Sequence, residues 1–481
     1  MSRFPVAPRL VPFALGLLLA AVPANAQFET RGRSVAEFEP YSIAVGDFNH
    51  DGNLDMTVAA TGLTGGPSIA VLLGKGDGSF LPTVGYNAGV GPTSIVAADF
   101  NHEGNLDLAV ANSLSDYVSV FLGNGDGTFT PGPQNPTTLA PQAVVAVGDF
   151  NGDGIPDLIA LSRSNPCKCI SVFLGNGDGT FQDAIITEPS FDVESIGIGD
   201  FNRDGKLDVV TAGNFTVNVL LGNGDGTFKY GASFPSPESP ESIAVADFNN
   251  DHKLDLAIAN SEGGSVSVLI GNGNGTFQPA VDYPIAFATW VAAADLTGNH
   301  KLDLIVANDV IEGFHTYSGA TVFRGNGDGT FQQPGSFYES DPVSDTSYVA
   351  VGDFNNDRKP DIAITDFGYN DIVVMLNTGV VSFTPSTMLL FNQQAVSTTS
   401  PPQKVTLTNT RSAALKVASI EAAGQFEMKT TCGKAIAAGE DCTVSVTFSP
   451  RTKGKLNGTV TLIDNASSKP QVIAMQGTGT D

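Results

Sequence analysis

The chain has little positive charge. It contains 24 Lys and Arg residues against 50 Asp and Glu residues, and its formal net charge is −26. Proteins that bind nucleic acid or anionic membranes through charge present clusters of Lys and Arg. The acidic balance therefore argues against nucleic acid or an anionic membrane surface as a partner.

Common catalytic motifs are also missing. The chain has no Gly-x-Ser-x-Gly motif. His102-Glu103 begins like a zinc-protease motif, but Leu106 stands where that motif needs its second histidine. The five histidines of the chain form no recognisable triad. We therefore expect a protein that is not an enzyme.

Long apolar runs are confined to the N-terminus. Arg3 and Arg9 provide positive charge, Leu10 to Val22 form an apolar run, and Ala24-Asn25-Ala26 is a small-residue cleavage site. This order is typical of a signal peptide over residues 1–26. The run is short for a membrane-spanning helix. We expect a secreted protein, periplasmic or at the cell surface, without a membrane span after signal cleavage.

An acidic nine-residue loop is the most abundant feature of the chain. In residues 47–55 oxygen-bearing side chains stand at positions 1, 3, 5 and 9, and Gly52 stands at position 6. Ca²⁺ is held by six to eight oxygen atoms at about 2.3–2.6 Å. Alternate side chains and the backbone carbonyl of position 7 can supply these atoms, and glycine suits the sharp turn. A solvated turn is the simpler reading of a single loop.

The loop occurs seven times. Its copies begin at Asp47, Asp99, Asp149, Asp200, Asp247, Asp295 and Asp353, and together they hold 20 of the 50 carboxylates. This recurrence favours up to six or seven structural Ca²⁺ ions. The sixth loop has only two carboxylates, Asp295 and Asp303, and is expected to bind weakly or not at all.

The predicted metal ligands of the other six loops are the residues at positions 1, 3, 5, 7 and 9. They include Glu103 in place of Asp at position 5 of the second loop, while His252 and Arg358 replace the position-6 glycine of the fifth and seventh loops at a cost in strain. The full set is Asp47, Asn49, Asp51, Asn53, Asp55, Asp99, Asn101, Glu103, Asn105, Asp107, Asp149, Asn151, Asp153, Ile155, Asp157, Asp200, Asn202, Asp204, Lys206, Asp208, Asp247, Asn249, Asp251, Lys253, Asp255, Asp353, Asn355, Asp357, Lys359 and Asp361.

A short apolar strand precedes each loop and another follows it, without a competing helical pattern. A Gly-Asn-Gly-Asp-Gly-Thr-Phe type of turn recurs about two dozen residues after each loop, and we interpret it as a tight hairpin rather than a second calcium motif. Four strands repeated seven times predict an all-β, seven-bladed β-propeller over residues 27–383. The seventh copy fades near Phe383, so we expect Phe28 to Phe38 to complete the last blade.

The composition changes after Phe383. Alternating strands such as Thr443 to Phe448 predict an immunoglobulin-like β-sandwich over residues 384–481. Cys432 and Cys442 lie close in sequence, and export favours a disulfide between them. Cys167 and Cys169 form either a strained disulfide or a free thiol pair, and two thiols cannot complete a four-ligand zinc site.

These motifs resemble known families. The Asp-Phe-Asn-x-Asp-Gly-x-x-Asp-Leu loop with the glycine-rich turn is similar to the FG-GAP/VCBS repeat, which includes the propeller of integrin α-subunits. The segment from Thr430 through Cys432, Cys442 and Pro450 to Gly479 resembles the ASPM/SPD-2/Hydin-like sandwich. The resemblance implies a calcium-binding propeller for binding or adhesion. Its alternative is a calcium-dependent lectin, or a carbohydrate-active enzyme such as a polysaccharide lyase.

By strand parity, the Asp loops and the glycine-rich turns share one face of the propeller. The integrin resemblance implies a ligand on the opposite face, where the copies differ. The sixth copy has two enlarged turns there, and we predict ligand contacts at His315, Tyr317 and Tyr338. The partner is an extracellular protein or glycan that the sequence does not identify.

Overall fold

The structure is a computed structural model. It describes residues 28–35, 39–60, 68–115, 117–136, 145–162, 169–189, 191, 193–213, 215–312, 315–333, 335–341, 346–377, 381–384, 389–409, 414–437, 440–464 and 471–481. These residues form β-strands and turns, with no helix among them. No segment of this part of the chain is a helix that could cross a membrane. The predicted signal peptide at residues 1–26 lies outside the described residues.

The first 28 strands form four-stranded antiparallel sheets. They are β1 (Phe28–Val35), β2 (Pro40–Gly46), β3 (Asp55–Ala60), β4 (Ile69–Leu72), β5 (Val84–Tyr86), β6 (Pro92–Ala98), β7 (Asp107–Asn112), β8 (Tyr117–Gly123), β9 (Phe129–Pro136), β10 (Val145–Gly148), β11 (Asp157–Leu161), β12 (Ile170–Phe173), β13 (Ile185–Thr187), β14 (Ser195–Gly199), β15 (Asp208–Gly213), β16 (Thr216–Gly222), β17 (Phe228–Pro235), β18 (Pro240–Ala246), β19 (Asp255–Asn260), β20 (Ser265–Leu269), β21 (Val281–Pro284), β22 (Ala288–Ala294), β23 (Asp303–Glu312), β24 (His315–Phe323), β25 (Ser336–Asp341), β26 (Thr346–Gly352), β27 (Asp361–Asp366) and β28 (Asp371–Asn377).

Within the described residues these strands make seven sheets, one for each copy of the loop. Sheets one to six each contain four consecutive strands, from β2–β5 to β22–β25. Sheet seven has the order β1-β28-β27-β26. Because each sheet follows the same up-and-down path, the turn after its first strand and the turn after its third strand lie on one face of the ring. The turns after the second and fourth strands lie on the other.

Consecutive sheets pack face to face. Seven hydrophobic clusters each join two neighbouring sheets, and one of them joins Ile43 and Met56 of sheet one to Phe354 and Ala363 of sheet seven. The sheets therefore close into a propeller. Most core positions are Val, Ile, Leu, Ala or Phe, which suit strands buried on both faces.

The N-terminal strand closes the ring, as predicted. β1 pairs antiparallel with β28, with Phe28 opposite Asn377 and Val35 opposite Asp371. The last sheet thus takes its outer strand from the start of the chain. Joining the two ends in one sheet gives each of them a hydrogen-bonded partner along its edge.

The remaining strands form the second domain. They are β29 (Val381–Thr384), β30 (Leu389–Leu390), β31 (Gln394–Ala395), β32 (Gln403–Asn409), β33 (Leu415–Ala423), β34 (Phe426–Thr430), β35 (Ala435–Ile436), β36 (Asp441–Phe448), β37 (Gly454–Asp464) and β38 (Gln471–Thr480). One sheet has the order β29-β32-β36-β34, and the other has the order β30-β38-β37-β33-β35. A single cluster that includes Phe391, Val405, Val444 and Phe448 lies between them, as in a β-sandwich.

One predicted boundary is wrong by a few residues. The sequence pattern predicts Phe383 in the faded seventh repeat, but it lies in β29, opposite Leu407 of β32 in the sandwich. The propeller therefore ends at Asn377 and the sandwich begins by Val381. The predicted disulfide between Cys432 and Cys442 is present. Cys169 is buried and also disulfide-bonded, and Cys167 lies outside the described residues.

Candidate metal centres

The acidic loops connect the first and second strands of each sheet, and backbone N–H groups hold their side chains. In the first loop the Asp47 carboxylate accepts from the N–H groups of Asp51 and Gly52 at 3.2 and 2.9 Å. The Asn49 carbonyl oxygen accepts from Asp51 N at 3.0 Å, and Asp51 accepts from Asn53 N at 2.8 Å. The loop is thus a series of turns in which oxygen-bearing side chains satisfy backbone donors.

The same geometry repeats around the ring. In all seven loops the N–H of position 6 donates to the position-1 Asp, with N···O distances of 2.6–2.9 Å. Gly52 has φ +83°, which confirms the sharp turn predicted at position 6. His252 and Arg358 adopt the same region at φ 63° and 66°, which confirms the predicted strain there. Position 4 is also left-handed, as in His50 at φ 56°, which the sequence pattern did not reveal.

The position-9 carboxylate is the buried part of each loop. Asp55, Asp107, Asp157, Asp208, Asp255 and Asp361 are each 0 % exposed. In these six loops Oδ2 accepts from the N–H of the position-2 Phe at 2.7–3.0 Å. Oδ1 accepts from a backbone N–H at or just after the end of the third strand at 2.7–2.8 Å. The carboxylate therefore joins the acidic loop to the end of the third strand in the same sheet.

These six buried carboxylates carry an unfavourable charge. Burial, together with a smaller contribution from the carboxylates at positions 1 and 5 of the same loop, raises the pKa of Asp107 to about 6 and that of Asp361 to about 7. Burial followed by the same like-charge repulsion also raises the pKa of Asp55, Asp157, Asp208 and Asp255. A cation beside these carboxylates would relieve the repulsion.

The chemistry of the donor set fits a hard cation such as Ca²⁺, because all the predicted ligand atoms are oxygens. The carboxylates, however, are held by N–H groups. Among the described residues no group of three or more His, Cys, Asp or Glu side chains forms a cluster that could hold a metal ion. Calcium binding by the 30 predicted ligands therefore stays a prediction, and we return to it as a proposal.

The glycine-rich turns are hairpins with satisfied side chains, in agreement with their interpretation from sequence. In the second repeat Asn124 N donates to Thr128 O at 2.9 Å and closes the turn. The Asp126 carboxylate accepts from Thr128 N and Oγ1 at 2.9 and 2.5 Å, and these bonds lower its pKa. The Asp of this turn is thus explained by its hydrogen bonds within the hairpin, without a metal ion.

The turns also connect neighbouring sheets. Gly127 N of the second repeat donates to Phe48 O in the first loop at 3.0 Å, and Gly78 N of the first repeat donates to Phe354 O in the seventh loop at 2.9 Å. Gly127 has φ +82°, and a Cβ there would lie 2.8 Å from the end of the Leu73 side chain in the preceding sheet, so both the backbone conformation and the close approach favour glycine. The rings of Phe48 and Phe129 meet edge to face at 5.5 Å across the same interface. Each acidic loop is therefore part of a contact between sheets.

These loops and turns match a known repeat. The model described as FG-GAP-like repeat matches residues 47–110, 103–160, 149–211, 200–258, 247–306 and 307–364. The chain belongs to this FG-GAP-like repeat family. A second model, described as Abnormal spindle-like microcephaly-assoc'd, ASPM-SPD-2-Hydin, matches residues 378–472, which contain most of the sandwich. No curated protein matches the chain.

Several solved structures are similar to this FG-GAP protein. A lectin of Agrocybe aegerita, whose structure concerns recognition of non-reducing terminal N-acetylglucosamine, is 19% identical over 72% of this chain and 86% of the lectin, with a TM-score of 0.46. A candidate 6-phosphogluconolactonase of Bacteroides uniformis is 14% identical over 67% of this chain and 97% of its own, with a TM-score of 0.48. The PapD-like domain 7 of human CEP192 is 13% identical over 21% of this chain and 85% of its own, with a TM-score of 0.16. At these identities and TM-scores, the ligands and activities of these proteins cannot be assigned to this chain.

The predicted ligand contacts of the sixth FG-GAP repeat have different outcomes. The side chains of His315 and Tyr317 lie outside the described residues, although their backbone belongs to β24. Tyr338 does not present its ring as a binding surface. Its side chain packs between sheets six and seven, its ring centroid is 5.0 Å from that of Phe28, and its hydroxyl is hydrogen-bonded to Ser336 and Arg324. We therefore remove Tyr338 from the candidate ligand contacts.

Other aromatic side chains are exposed on the face opposite the acidic loops. Phe215, in the turn after the second strand of sheet four, is 51% exposed, and Phe287, in the turn before sheet six, is 46% exposed. Both have left-handed backbones, at φ 67° and 51°. Bulky residues rarely adopt this conformation, and such strain is concentrated at functional sites. Sequence reasoning missed both residues because neither turn is enlarged.

The turns between these two phenylalanines form a continuous strip. Ser236 N donates to Phe215 O at 2.8 Å, Gly263 N donates to Glu238 O at 3.0 Å, and Ile285 N donates to Gly264 O at 3.0 Å. The strip crosses from sheet four to sheet six, and the side chains of Glu238 and Glu262 are exposed along it. Aromatic rings and carboxylates thus share one surface, which we call the aromatic strip, defined by Phe215, Glu238, Glu262 and Phe287.

Proposed function

We propose that the protein is a secreted, non-catalytic binding scaffold. In this proposal Ca²⁺ stabilises one face of the FG-GAP propeller, and a glycan or protein ligand is bound outside the cell by the opposite face. The observation that carries the calcium part is the burial of six position-9 carboxylates, each with two further acidic side chains in its loop. Oxygen atoms at positions 1, 3, 5, 7 and 9 would hold the ion.

Calcium in this position would act on the ring as a whole. The position-9 carboxylate bonds to the turn after the third strand, and the position-2 carbonyl accepts from the next sheet, as Gly127 N does from Phe48 O. Positive charge in the loop would relieve repulsion among its carboxylates. It would thereby strengthen both the contact within a sheet and the contact between sheets.

The aromatic strip supports the ligand part of the proposal. The exposed faces of Phe215 and Phe287 can stack on the apolar face of a sugar ring, and Glu238 and Glu262 can accept hydrogen bonds from its hydroxyl groups. Strand connectivity sets this strip on the face away from the repeated acidic loops. Loops that differ between copies and are held by a rigid scaffold are where ligand binding is usually found.

A glycan array tests this assignment. The full-length mature protein in calcium-containing buffer should bind a defined set of glycans, and the double variant Phe215→Ala with Phe287→Ala should lose at least ~10-fold in affinity. Tyr230→Ala is the matched control, because Tyr230 is 58% exposed but lies on the outer strand β17. Unchanged binding by the double variant would show that the strip is not the ligand site. If the protein binds no glycan but binds extracellular proteins through the aromatic strip, the ligand of the proposal is a protein.

A further inference from the structure

The sixth acidic loop has a different partner for its buried carboxylate. Asp303 is 1% exposed, and its Oδ1 accepts from Gly325 N at 2.9 Å, as in the other repeats. Its Oδ2, however, accepts from Arg324 Nη1 at 2.6 Å rather than from the position-2 amide. Arg324 is itself only 7% exposed. The sixth repeat therefore contains a buried ion pair at the place where the other repeats have an uncompensated carboxylate.

Arg324 is an exception among the repeats. The residue immediately before the turn is Leu73, Leu122, Leu174, Leu221 and Ile270 in repeats one to five, and Leu376 in repeat seven. In repeats one to five, and in repeat seven, this aliphatic side chain lies under a turn glycine of the next sheet. The sixth repeat has an arginine at this one position and also the fewest acidic ligands.

The position of the sixth repeat in the ring explains how an arginine fits. The sequence of the seventh repeat has no glycine-rich motif at the corresponding place, and β28 ends at Asn377. The Asn377 side chain donates from Nδ2 to Leu296 O in the sixth loop at 2.7 Å. Leu296 O is the position-2 carbonyl, which in the other repeats accepts from a turn glycine of the next sheet. Tyr338 lies beside Arg324, and Phe28 of the closing strand contacts Tyr338.

We infer that the Arg324 guanidinium takes the role of the metal ion in the sixth repeat. This inference rests on the proposed calcium binding by the other six loops. A guanidinium on the Asp303 carboxylate supplies positive charge without any requirement for free calcium. The sixth repeat is thus a metal-independent unit, and it lies where the N-terminal strand closes the ring. The full-length protein should bind six calcium ions rather than seven.

A double-mutant cycle tests the pair. Arg324→Leu installs the residue found at this position in most repeats and leaves Asp303 buried without a cation, so Tm should fall by about 5–10 °C. The fall should be the same in excess Ca²⁺ and in EGTA. Asp303→Asn removes the charge from the other side. The double variant should recover at least half of the loss caused by Arg324→Leu, because neither charge remains unpaired.

Arg324→Lys keeps the charge and should lose less than Arg324→Leu. The inference is overturned if Arg324→Leu melts like the wild type, or if the double variant is no more stable than Arg324→Leu. If Arg324→Leu does not fold, the double variant must still fold, and its failure to do so would also overturn the inference.

Counting bound calcium separates this inference from the proposed function. Equilibrium dialysis against Ca²⁺ should show one ion fewer for Asp255→Asn, in the fifth repeat, and no change for Asp303→Asn. Loss of one ion in Asp303→Asn would overturn the inference. A wild-type protein that binds no calcium would overturn the proposed function, whereas the stability cycle of Arg324 and Asp303 would still report whether the pair is coupled.

Discussion

The fifth and sixth repeats have the same fold but balance a buried negative charge in different ways. In both, the position-9 Asp accepts from the turn glycine, at 2.7 Å from Gly271 and 2.9 Å from Gly325. Burial raises the pKa of Asp255, and the carboxylates of Asp247 and Asp251 in the same loop contribute to the rise. Burial also raises the pKa of Asp303, but the Arg324 guanidinium paired with it opposes this rise. Backbone hydrogen bonds thus determine the conformation of the loop. The negative charge of its buried carboxylate can be balanced in more than one way.

The largest effect should come from removing the strand that packs beside the sixth repeat. Deletion of residues 28–35 takes away β1, exposes the edge of β28 and removes Phe28 from its contact with Tyr338. We expect insoluble or oligomeric protein, because an open sheet edge pairs with other chains. Size-exclusion chromatography with light scattering checks this, with a chain that begins at residue 27 as the control. A deletion variant that is monomeric and melts like the control would contradict it.

Removing calcium should affect six repeats and leave the sixth unchanged. At free Ca²⁺ ~100 times the dissociation constant, each independent site contributes about 2.7 kcal/mol to the free energy of unfolding. Excess EGTA should therefore lower Tm by on the order of 10 °C or more.

Differential scanning calorimetry measures this change, and Ca²⁺ should restore Tm much better than Mg²⁺. The variant Arg324→Leu should show the same EGTA shift as the wild type. An unchanged melting curve after exhaustive chelation would rule out calcium as a structural element.

Protons should partly replace calcium in the chelated protein. The pKa of Asp107 is raised to about 6 and that of Asp361 to about 7, so the folded state binds protons that the unfolded state releases. Stability of the chelated protein should therefore rise as the pH falls from about 7.5 towards 5, and be lost again as the pH rises through these folded-state values.

The expected change in Tm is a few degrees, measured by thermal melts in EGTA across this range. Asp361→Asn should reduce the slope, and Asp441→Asn, which removes an exposed carboxylate of the sandwich, should not. A Tm that falls steadily over the same interval would contradict the sign of this linkage.

The smallest effect concerns the left-handed positions that all the loops share. No atom lies within 4 Å of a Cβ built at Gly154, which has φ +83°, so Gly154→Ala should cost only the backbone strain, about 1 kcal/mol. His252→Gly, at the equivalent position of the fifth loop with φ 63°, should be neutral or stabilising by a few tenths of a kcal/mol. Urea unfolding of both variants in excess calcium gives the two values. A stabilising Gly154→Ala together with a destabilising His252→Gly would show that strain does not decide this position.

Much of the propeller was predictable because its information is local and repeated. The strand-loop-strand pattern, the left-handed turn at Gly52 and the hairpin turns depend on residues less than about ten positions apart. Closure by β1 was also predictable, because the seventh copy lacks a fourth strand and the first copy has one to spare. Strand parity alone predicted that the acidic loops and the glycine-rich turns lie on one face of the propeller and the variable turns on the other.

Other features depended on contacts between distant parts of the chain. In the sequence, Arg324 looks like a chance replacement of leucine, and Tyr338 looks like an exposed aromatic residue in an enlarged turn. The fold shows their roles: Arg324 is paired with Asp303, and the ring of Tyr338 packs against that of Phe28. The assignment of Phe383 to the sandwich rests likewise on its pairing with β32.

By itself the sequence determined the repeat, the strands and the chemistry of the acidic loops, because each of these is encoded within one copy. Only the tertiary structure decided which carboxylates are buried, which of them already has a cation, and which aromatic rings face solvent. Burial depends on what the neighbouring sheet contributes, and that neighbour is about fifty residues away or, for Phe28 and Asn377, at the opposite end of the propeller. The pairing of Asp303 with Arg324 depends on the antiparallel pairing of β23 with β24, which brings together two residues 21 positions apart.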